Sequence, residues 1–151
     1  MRIFIDADAC PVKAETLKVA ARYSLPVTLI SNGGIRPSRD PMVSTMTVPA
    51  GADAADDKIV ELAQKGDIAI TADIPLAARL LEKYAVPISP KGKVFTQSDI
   101  GMALAVRQLN QDIREANQSQ TFNAPFSARD RSSFLQALDK IIVQARNNKS
   151  G

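Results

Sequence analysis

The chain opens with MRIFIDADACPVK, residues 1–13, in which a short apolar run leads directly to two aspartates, a cysteine and a proline. The run from Ile3 to Ile5 has no polar alternation, which is typical of a strand buried on both faces of a parallel sheet. Pro11 suits the first turn of a helix, where its missing N–H costs nothing. The stretch therefore predicts a buried strand, an acidic turn and a helix in direct succession.

The same succession recurs along the chain, because short apolar segments alternate with helical periodicity. Further strands are predicted over residues 27–30, 43–48, 67–73 and 86–90. The helix that follows Pro11 is predicted to end near Tyr23. Further helices are predicted over residues 52–64, 74–84 and 99–118, the last with Ser98 as its cap. Alternating strands and helices require parallel pairing with helices on both faces of the sheet. We expect an α/β fold, a three-layer α/β/α sandwich with a mostly parallel central sheet.

The domain organisation predicted from the sequence is simple. A chain of 151 residues is long enough for one hydrophobic core. Residues 1–118 are predicted to form the α/β domain, and the polar residues 119–131 a linker. Residues 132–151 are predicted to form an amphipathic helix that packs on the same domain.

The composition restricts both the compartment and the chemistry. No apolar stretch approaches the roughly 20 residues of a membrane span, and a signal peptide is not evident, so a cytoplasmic protein is expected. There is no histidine, which removes the usual general base and imidazole ligands. The single cysteine, Cys10, excludes an internal disulfide and is interpreted as a small buried residue rather than a reactive thiol. Catalysis would have to use carboxylates, lysines or hydroxyls.

Five aspartates are predicted to meet at one edge of the sheet. Asp6 and Asp8 follow the first strand, Asp73 follows the fourth, and Asp53 and Asp56 open the helix after the third. The carboxyl ends of parallel strands share an edge, and ligands bind there in open α/β sheets. The five side chains therefore converge from separate parts of the chain.

Two neighbouring aspartates help to define this cluster by contrast. Asp67 begins the fourth strand, about 20 Å from Asp73 at 3.3 Å per residue, and is excluded. At about 100° per residue, Asp56 falls within the apolar stripe of its helix, Asp53 at its margin and Asp57 outside it. A carboxylate on the buried side of a helix needs a partner, whereas exposed first-turn carboxylates only complement the helix dipole.

Clustered carboxylates repel one another unless a cation lies between them. Oxygen ligands suit Mg²⁺ or Mn²⁺, which can activate water and stabilise the leaving oxygen of a phosphodiester. We interpret all five aspartates as metal ligands, and Asp6, Asp8, Asp56 and Asp73 as catalytic. Thr71 and Ser31, near strand ends, are candidates for hydrogen bonds to a metal-bound water.

Basic side chains are predicted around the same edge, and the net charge is +3. Lysine and arginine bind nucleic-acid phosphates without sequence specificity. The expected partner is nucleic acid, RNA in particular; no membrane is expected, and an oligomer is compatible with the sequence. The candidate phosphate-binding residues are Lys13, Arg36, Arg39, Lys91, Lys93, Arg129 and Arg131.

Five strings span nearly the whole chain in the order IDADACPVK, GADAADDKIV, DIAITADIPLA, KGKVFTQSDIG and PFSARDRSSF. Together they resemble the YaiI/YqxD family of uncharacterised bacterial proteins. That family is classed with PIN-like domains, whose active members are metal-dependent nucleases built on an α/β/α sandwich. The resemblance implies an acidic site at Asp6, Asp8, Asp53, Asp56 and Asp73, and Asp99 is a candidate for a further acidic position.

Two other functions are compatible with the sequence. DADAC nearly fits the DxDx[TV] signature of haloacid-dehalogenase-like phosphotransferases, in which the first aspartate, here Asp6, is the nucleophile. Against it, Cys10 replaces the expected Thr or Val, and Pro11 leaves no room for a flap after the first strand. The third hypothesis is a non-catalytic or toxin-like RNA-binding module that keeps its acidic residues for structure.

Overall fold

The computed structural model describes residues 1–7, 10–33, 40–49, 54–101 and 126–150, and the side chains of these residues as far as 147. The strands are β1 (Ile3–Asp6), β2 (Val27–Ser31), β3 (Val43–Thr47), β4 (Ile68–Ile70) and β5 (Val86–Ile88). The long helices are α1 (Lys13–Tyr23), α2 (Ala54–Leu62), α3 (Ile74–Glu82) and α4 (Ala128–Ser150). A further helix begins at residue 97 and is described as far as residue 101.

The five strands form one sheet in the order β3-β2-β1-β4-β5, and every neighbouring pair is parallel. β1 lies at the centre of this sheet. The chain adds β2 and β3 on one side of β1 and then returns to add β4 and β5 on the other. The order of addition therefore reverses between β1 and β4, and a crevice at the carboxyl edge is expected at such a point.

The apolar residues of β1 divide the core into two layers. Ile3 and Ile5 are buried in a cluster that includes Val19 of α1 and Phe134 of α4. Phe4, between them, is buried on the other face with apolar residues of α2 and α3. Strand residues alternate between faces, so a run buried on both faces must lie between two helical layers. The predicted three-layer α/β/α sandwich is confirmed.

Helix α4 packs against the sheet, beside α1. Leu138 is fully buried in the cluster that contains Ile3 and Ile5. Tyr23 at the end of α1 donates a hydrogen bond to Asp139. Near the start of α1, Glu15 pairs with Arg131 at 3.1 Å. These contacts require α1 and α4 to run in the same direction.

Several predicted helix boundaries are wrong. α1 begins at Lys13, so Pro11 lies in the turn before the helix. The cap of the helix that begins at residue 97 is Thr96, not Ser98. The Oγ1 atom of Thr96 accepts the N–H of Asp99 at 3.1 Å and donates to Oδ2 of Asp99 at 2.9 Å. The reciprocal carboxylate is what favours Thr96. The last helix begins at Ala128, four residues before its predicted start.

The rest of the helix predicted over 99–118, and most of the linker predicted over 119–131, lie outside the described residues. Among the helices that are described, none combines the length and hydrophobicity needed to cross a bilayer.

Candidate functional site

A pocket of about 220 Å³ lies at the carboxyl edge of the sheet, where β1 and β4 end side by side. Its position is the reversal point of the strand order, as the general rule for open α/β sheets predicts. The described residues that line the pocket are Asp6, Cys10, Asp56, Ile70, Thr71, Ala72, Asp73 and Pro90. Three of the predicted aspartates are thus brought together from three separate elements.

Asp6 is held by the central strand of the sheet. It is the last residue of β1 and is paired with Ile30 of β2. The next residue, Ala7, still donates its N–H to the carbonyl of Ile30 at 2.8 Å. The backbone of Asp6 and of the residue after it is therefore fixed to β2. The side chain of Asp6 is half-buried and lines the pocket.

Asp73 reaches the pocket through a tight turn after β4. The N–H of Asp73 donates to Oγ1 of the buried Thr71 at 2.9 Å, and Oδ1 of Asp73 accepts the N–H of Leu76 at 2.9 Å. Asp73 is therefore the N-cap of α3, and Pro75 occupies the first turn. Within the described part of the chain, Oδ2 of Asp73 accepts no hydrogen bond. One carboxylate oxygen is thus fixed by the helix while the second remains for another partner.

Asp56 and Asp57 are neighbours in the first turn of α2 but have different surroundings. Asp56 is half-buried and lines the pocket. Asp57 is exposed and forms an ion pair with Arg79 of α3 at 2.8 Å. The helical periodicity predicted this divergence. Asp57 is therefore a natural control for Asp56.

Asp67 lies at the opposite edge of the sheet and has a structural role. Its carboxylate accepts hydrogen bonds from the backbone N–H groups of Arg2 at 3.0 Å and Gln64 at 2.9 Å. It also pairs with the Arg2 guanidinium at 3.3 Å. Its exclusion from the site agrees with these contacts. Asp99 is likewise engaged elsewhere, since it pairs with Lys93 and its pKa is held below the usual value mainly by the Thr96 hydroxyl.

Cys10 lines the pocket beside Asp6, but its thiol is not activated. The pKa of Cys10 is raised to about 11, mainly by burial and to a smaller extent by the negative charge of Asp6. A hydrogen bond with the backbone of Val12 acts in the opposite direction. With this pKa, Cys10 is a neutral thiol near pH 7. Since the thiolate is the nucleophilic form, the side chain is not activated for attack.

The remaining acidic and polar candidates separate into two groups. Asp8 and Asp53 lie outside the described residues, so their metal-binding role stays a prediction. Ser31 is buried and its Oγ accepts the N–H of Gly33 at 3.1 Å, whereas Thr71 lines the pocket.

The part of the chain that is described contains no three Asp, Glu or Cys side chains placed closely enough to hold a metal ion. Chemically, the carboxylate oxygens of the pocket suit a hard divalent cation.

The basic candidates differ in how far their charge is already neutralised. Lys93 pairs with Asp99 at 3.5 Å, and Arg131 pairs with Glu15. Lys91 and Arg129 are exposed and form no ion pair with described residues. Lys13 is half-buried at the start of α1. Arg36 and Arg39 lie outside the described residues.

Sequence reasoning missed Pro90, which is buried and forms one wall of the pocket. It lies two residues after β5, so the carboxyl-edge rule could have included it. The loop that carries Pro90 is held against α4, because a Cβ atom added to Gly92 would lie 2.7 Å from the backbone carbonyl of Ser133.

Comparison with known proteins identifies the class of protein that this fold and pocket represent. Residues 4–144 match the family described as uncharacterised YaiI/YqxD, and the chain belongs to that family. No solved structure matches the chain.

Individual relatives extend over almost the same length. The chain is 56% identical to a UPF0178 protein of Agrobacterium fabrum over 145 residues, which cover 96% of this chain and 95% of the relative. It is 54% identical to a UPF0178 protein of Mesorhizobium japonicum, with 95% and 92% covered. A UPF0178 protein of Rhizobium meliloti is 53% identical, with 95% and 99% covered.

Proposed function

We propose that this protein is a Mg²⁺- or Mn²⁺-dependent phosphodiesterase that hydrolyses RNA or single-stranded nucleic acid. The observation that carries the proposal is the convergence of Asp6, Asp56 and Asp73 from β1, α2 and the turn after β4 on one pocket. A cap or a surface charge accounts for each aspartate singly. Neither accounts for their common position at the reversal point of the sheet.

The aspartates of the pocket would position the cation rather than act as the general base. Asp6 is fixed by the strand pairing of β1 with β2, and Oδ1 of Asp73 by Leu76. Because the described side chains do not by themselves form a three-ligand group, Asp6, Asp56 and Asp73 would hold the cation only together with Asp8 and Asp53 of the predicted set. When bound, such an ion lowers the pKa of a coordinated water and stabilises negative charge on the leaving oxygen. The absence of histidine is compatible with this chemistry.

Charge around the pocket supports a polyanionic substrate. Lys91 lies next to Pro90, which lines the pocket. The pKa of Asp130 is lowered mainly by a hydrogen bond with the backbone of Ser127, and the charges of Lys91 and Arg129 also lower it. Both cations therefore lie within electrostatic reach of Asp130 in the first turn of α4. Exposed lysine and arginine side chains can contact the phosphates of a nucleic acid.

Metal binding and cleavage by matched variants test the proposal. We expect calorimetry to detect Mn²⁺ binding to the wild type, and labelled single-stranded RNA to be cleaved only in the presence of Mn²⁺ or Mg²⁺. Asp56→Asn should lower the cleavage rate by about 10²-fold or more, as expected when a preorganised charge at a reaction centre is lost. Asp57→Asn removes the neighbouring charge outside the pocket and should leave cleavage unchanged.

Three outcomes would overturn the proposal in different ways. Absence of Mn²⁺ binding, together with unchanged cleavage in Asp8→Asn, excludes the acidic site as the catalyst. A phospho-aspartate analogue trapped at Asp6 by beryllofluoride favours the phosphotransferase. RNA binding that survives both EDTA and Asp8→Asn, without any cleavage, favours the non-catalytic module.

A further inference from the structure

The two helical layers of the sandwich carry opposite charge. Among the described side chains of α1 and α4, as far as residue 147, there are seven Lys and Arg against three Asp and Glu, a net charge of +4. Helices α2 and α3 contain two Lys and Arg against four Asp and Glu, a net charge of −2. The modest net charge of the whole chain, +3, conceals this asymmetry. We call the solvent side of α1 and α4 the basic face.

Part of the charge on the basic face has no ion-pair partner among the described residues. Arg22 pairs with Asp139 at 3.6 Å, and Arg131 pairs with Glu15 at 3.1 Å. Three other cations of these helices are exposed and form no ion pair with a described residue: Lys18, Arg129 and Lys140. Exposed cations without partners repel one another and favour an anionic ligand.

The basic face is continuous with the pocket edge. α1 starts seven residues after Asp6, and α4 runs beside it in the same direction. The start of α4 is held against the loop that carries Pro90 through the close contact of Gly92 with Ser133. From Arg129 to Arg146 the helix extends about 26 Å at 1.5 Å per residue. That length corresponds to about eight phosphates of one duplex strand, spaced 3.4 Å apart.

We propose that the basic face binds the backbone of a nucleic acid that continues beyond the pocket, so that the substrate is a polynucleotide rather than a short oligonucleotide. This inference rests on the proposed function, because it concerns the same substrate. Binding along the helices would be independent of sequence, since the available groups are lysine and arginine.

The burial of the apolar side of α4 favours a nucleic acid over an anionic membrane as the partner of the basic face. A helix that lies on a membrane inserts an apolar face between the head groups. The apolar face of α4 is buried against the sheet through Phe134, Leu138 and Ile142. The described solvent side of α4 exposes one large hydrophobic side chain, Val143, to only 38%. The basic face therefore offers charge without an inserting surface.

Fluorescence anisotropy of a labelled single-stranded RNA of about 20 nucleotides tests the inference across a series of salt concentrations. EDTA is present throughout, so that binding is read without cleavage. The test variant is Lys18→Gln combined with Lys140→Gln. The control is Lys65→Gln, an exposed lysine in the turn after α2, on the other side of the molecule. Circular dichroism confirms that each variant is folded.

The double variant should bind more weakly, and its slope of log affinity against log salt should fall by about 1.4, since each single-strand phosphate contact contributes about 0.7. Lys65→Gln should behave as the wild type. An unchanged slope in the double variant would overturn the inference, as would binding to phosphatidylglycerol vesicles in the absence of RNA binding. If the wild type binds RNA in this assay but does not cleave it in a separate assay with Mn²⁺, that result would count against the proposed function and not against this inference.

Discussion

The carboxylate of Asp73 accepts the backbone N–H of Leu76 at 2.9 Å, so one side chain both lines the pocket and caps α3. The two uses involve different oxygens, because Oδ1 is the acceptor in the cap. Capping fixes the side-chain torsion and thereby directs the second oxygen. The stability of α3 and the chemistry of the pocket are therefore linked at one residue and can be separated by substitution.

Substitutions at Asp73 should separate the cap from the charge. Asp73→Ala removes both and should lower the free energy of unfolding by about 1 kcal/mol, because a helix N-terminus loses its acceptor. Asp73→Asn keeps an amide oxygen for the Leu76 N–H and should be almost as stable as the wild type. Urea unfolding measures both. Cleavage of RNA should be lost in both variants, and a fully active Asp73→Asn would show that only the cap matters.

Asp67 should show the reverse behaviour. Its carboxylate satisfies two backbone N–H groups and the Arg2 guanidinium, and its side chain is 6% exposed. Asp67→Ala leaves those donors without an acceptor and should cost about 2 kcal/mol. Once corrected for the folded fraction, RNA cleavage should equal that of the wild type. A specific loss of cleavage in a folded Asp67→Ala would contradict the division of the two edges into structural and functional.

Local patterns in the sequence were sufficient for the sheet and for part of the site. The uninterrupted apolar run around Phe4 predicted a strand buried on both faces, and Ile3, Phe4 and Ile5 are all buried. The carboxyl-edge rule placed Asp6 and Asp73 at the same edge without knowledge of the strand order, and the pairing of β1 with β4 then brings them to one pocket. Helical periodicity then distinguished Asp56 from Asp57. Each inference used spacing within about a dozen residues.

Contacts between distant parts of the chain could not be predicted in this way. The charges of Lys93 and Arg131 were interpreted as available for phosphates, yet both have acidic partners. The pairing of Arg131 with Glu15 joins residues more than a hundred positions apart and depends on how α4 packs. Such pairs are set by packing rather than by propensity. The Thr96 cap is a different case, because Thr96 and Asp99 are three residues apart and this spacing is visible in the sequence.

Alkylation kinetics should show that Cys10 is an unactivated thiol. Its raised pKa, about 11, means that the proton is retained well above neutral pH and about one molecule in a thousand carries the thiolate at pH 8. The rate with iodoacetamide should therefore rise tenfold per pH unit up to about pH 11. Asp6→Asn removes a negative charge that raises this pKa, so alkylation of that variant should be faster at pH 8. A rate plateau near neutral pH would contradict the assignment.

Two glycines with similar backbone conformation allow the contact between the pocket loop and α4 to be measured. Gly66 has a φ of 86° and Gly92 a φ of 94°, so alanine is strained at both. A Cβ on Gly66 would meet nothing within 4 Å, whereas one on Gly92 would lie 2.7 Å from the Ser133 backbone. Gly66→Ala should cost about 1 kcal/mol, from backbone strain alone.

Gly92→Ala should cost about 1–3 kcal/mol more than Gly66→Ala, because the loop and α4 must also move apart. Urea unfolding of the two variants gives the difference directly. Since Pro90 and Lys91 belong to the same loop, Gly92→Ala should also weaken RNA binding, while Gly66→Ala should not. Equal costs for the two variants would mean that the loop moves freely, and the pocket wall at Pro90 would then not be held by α4.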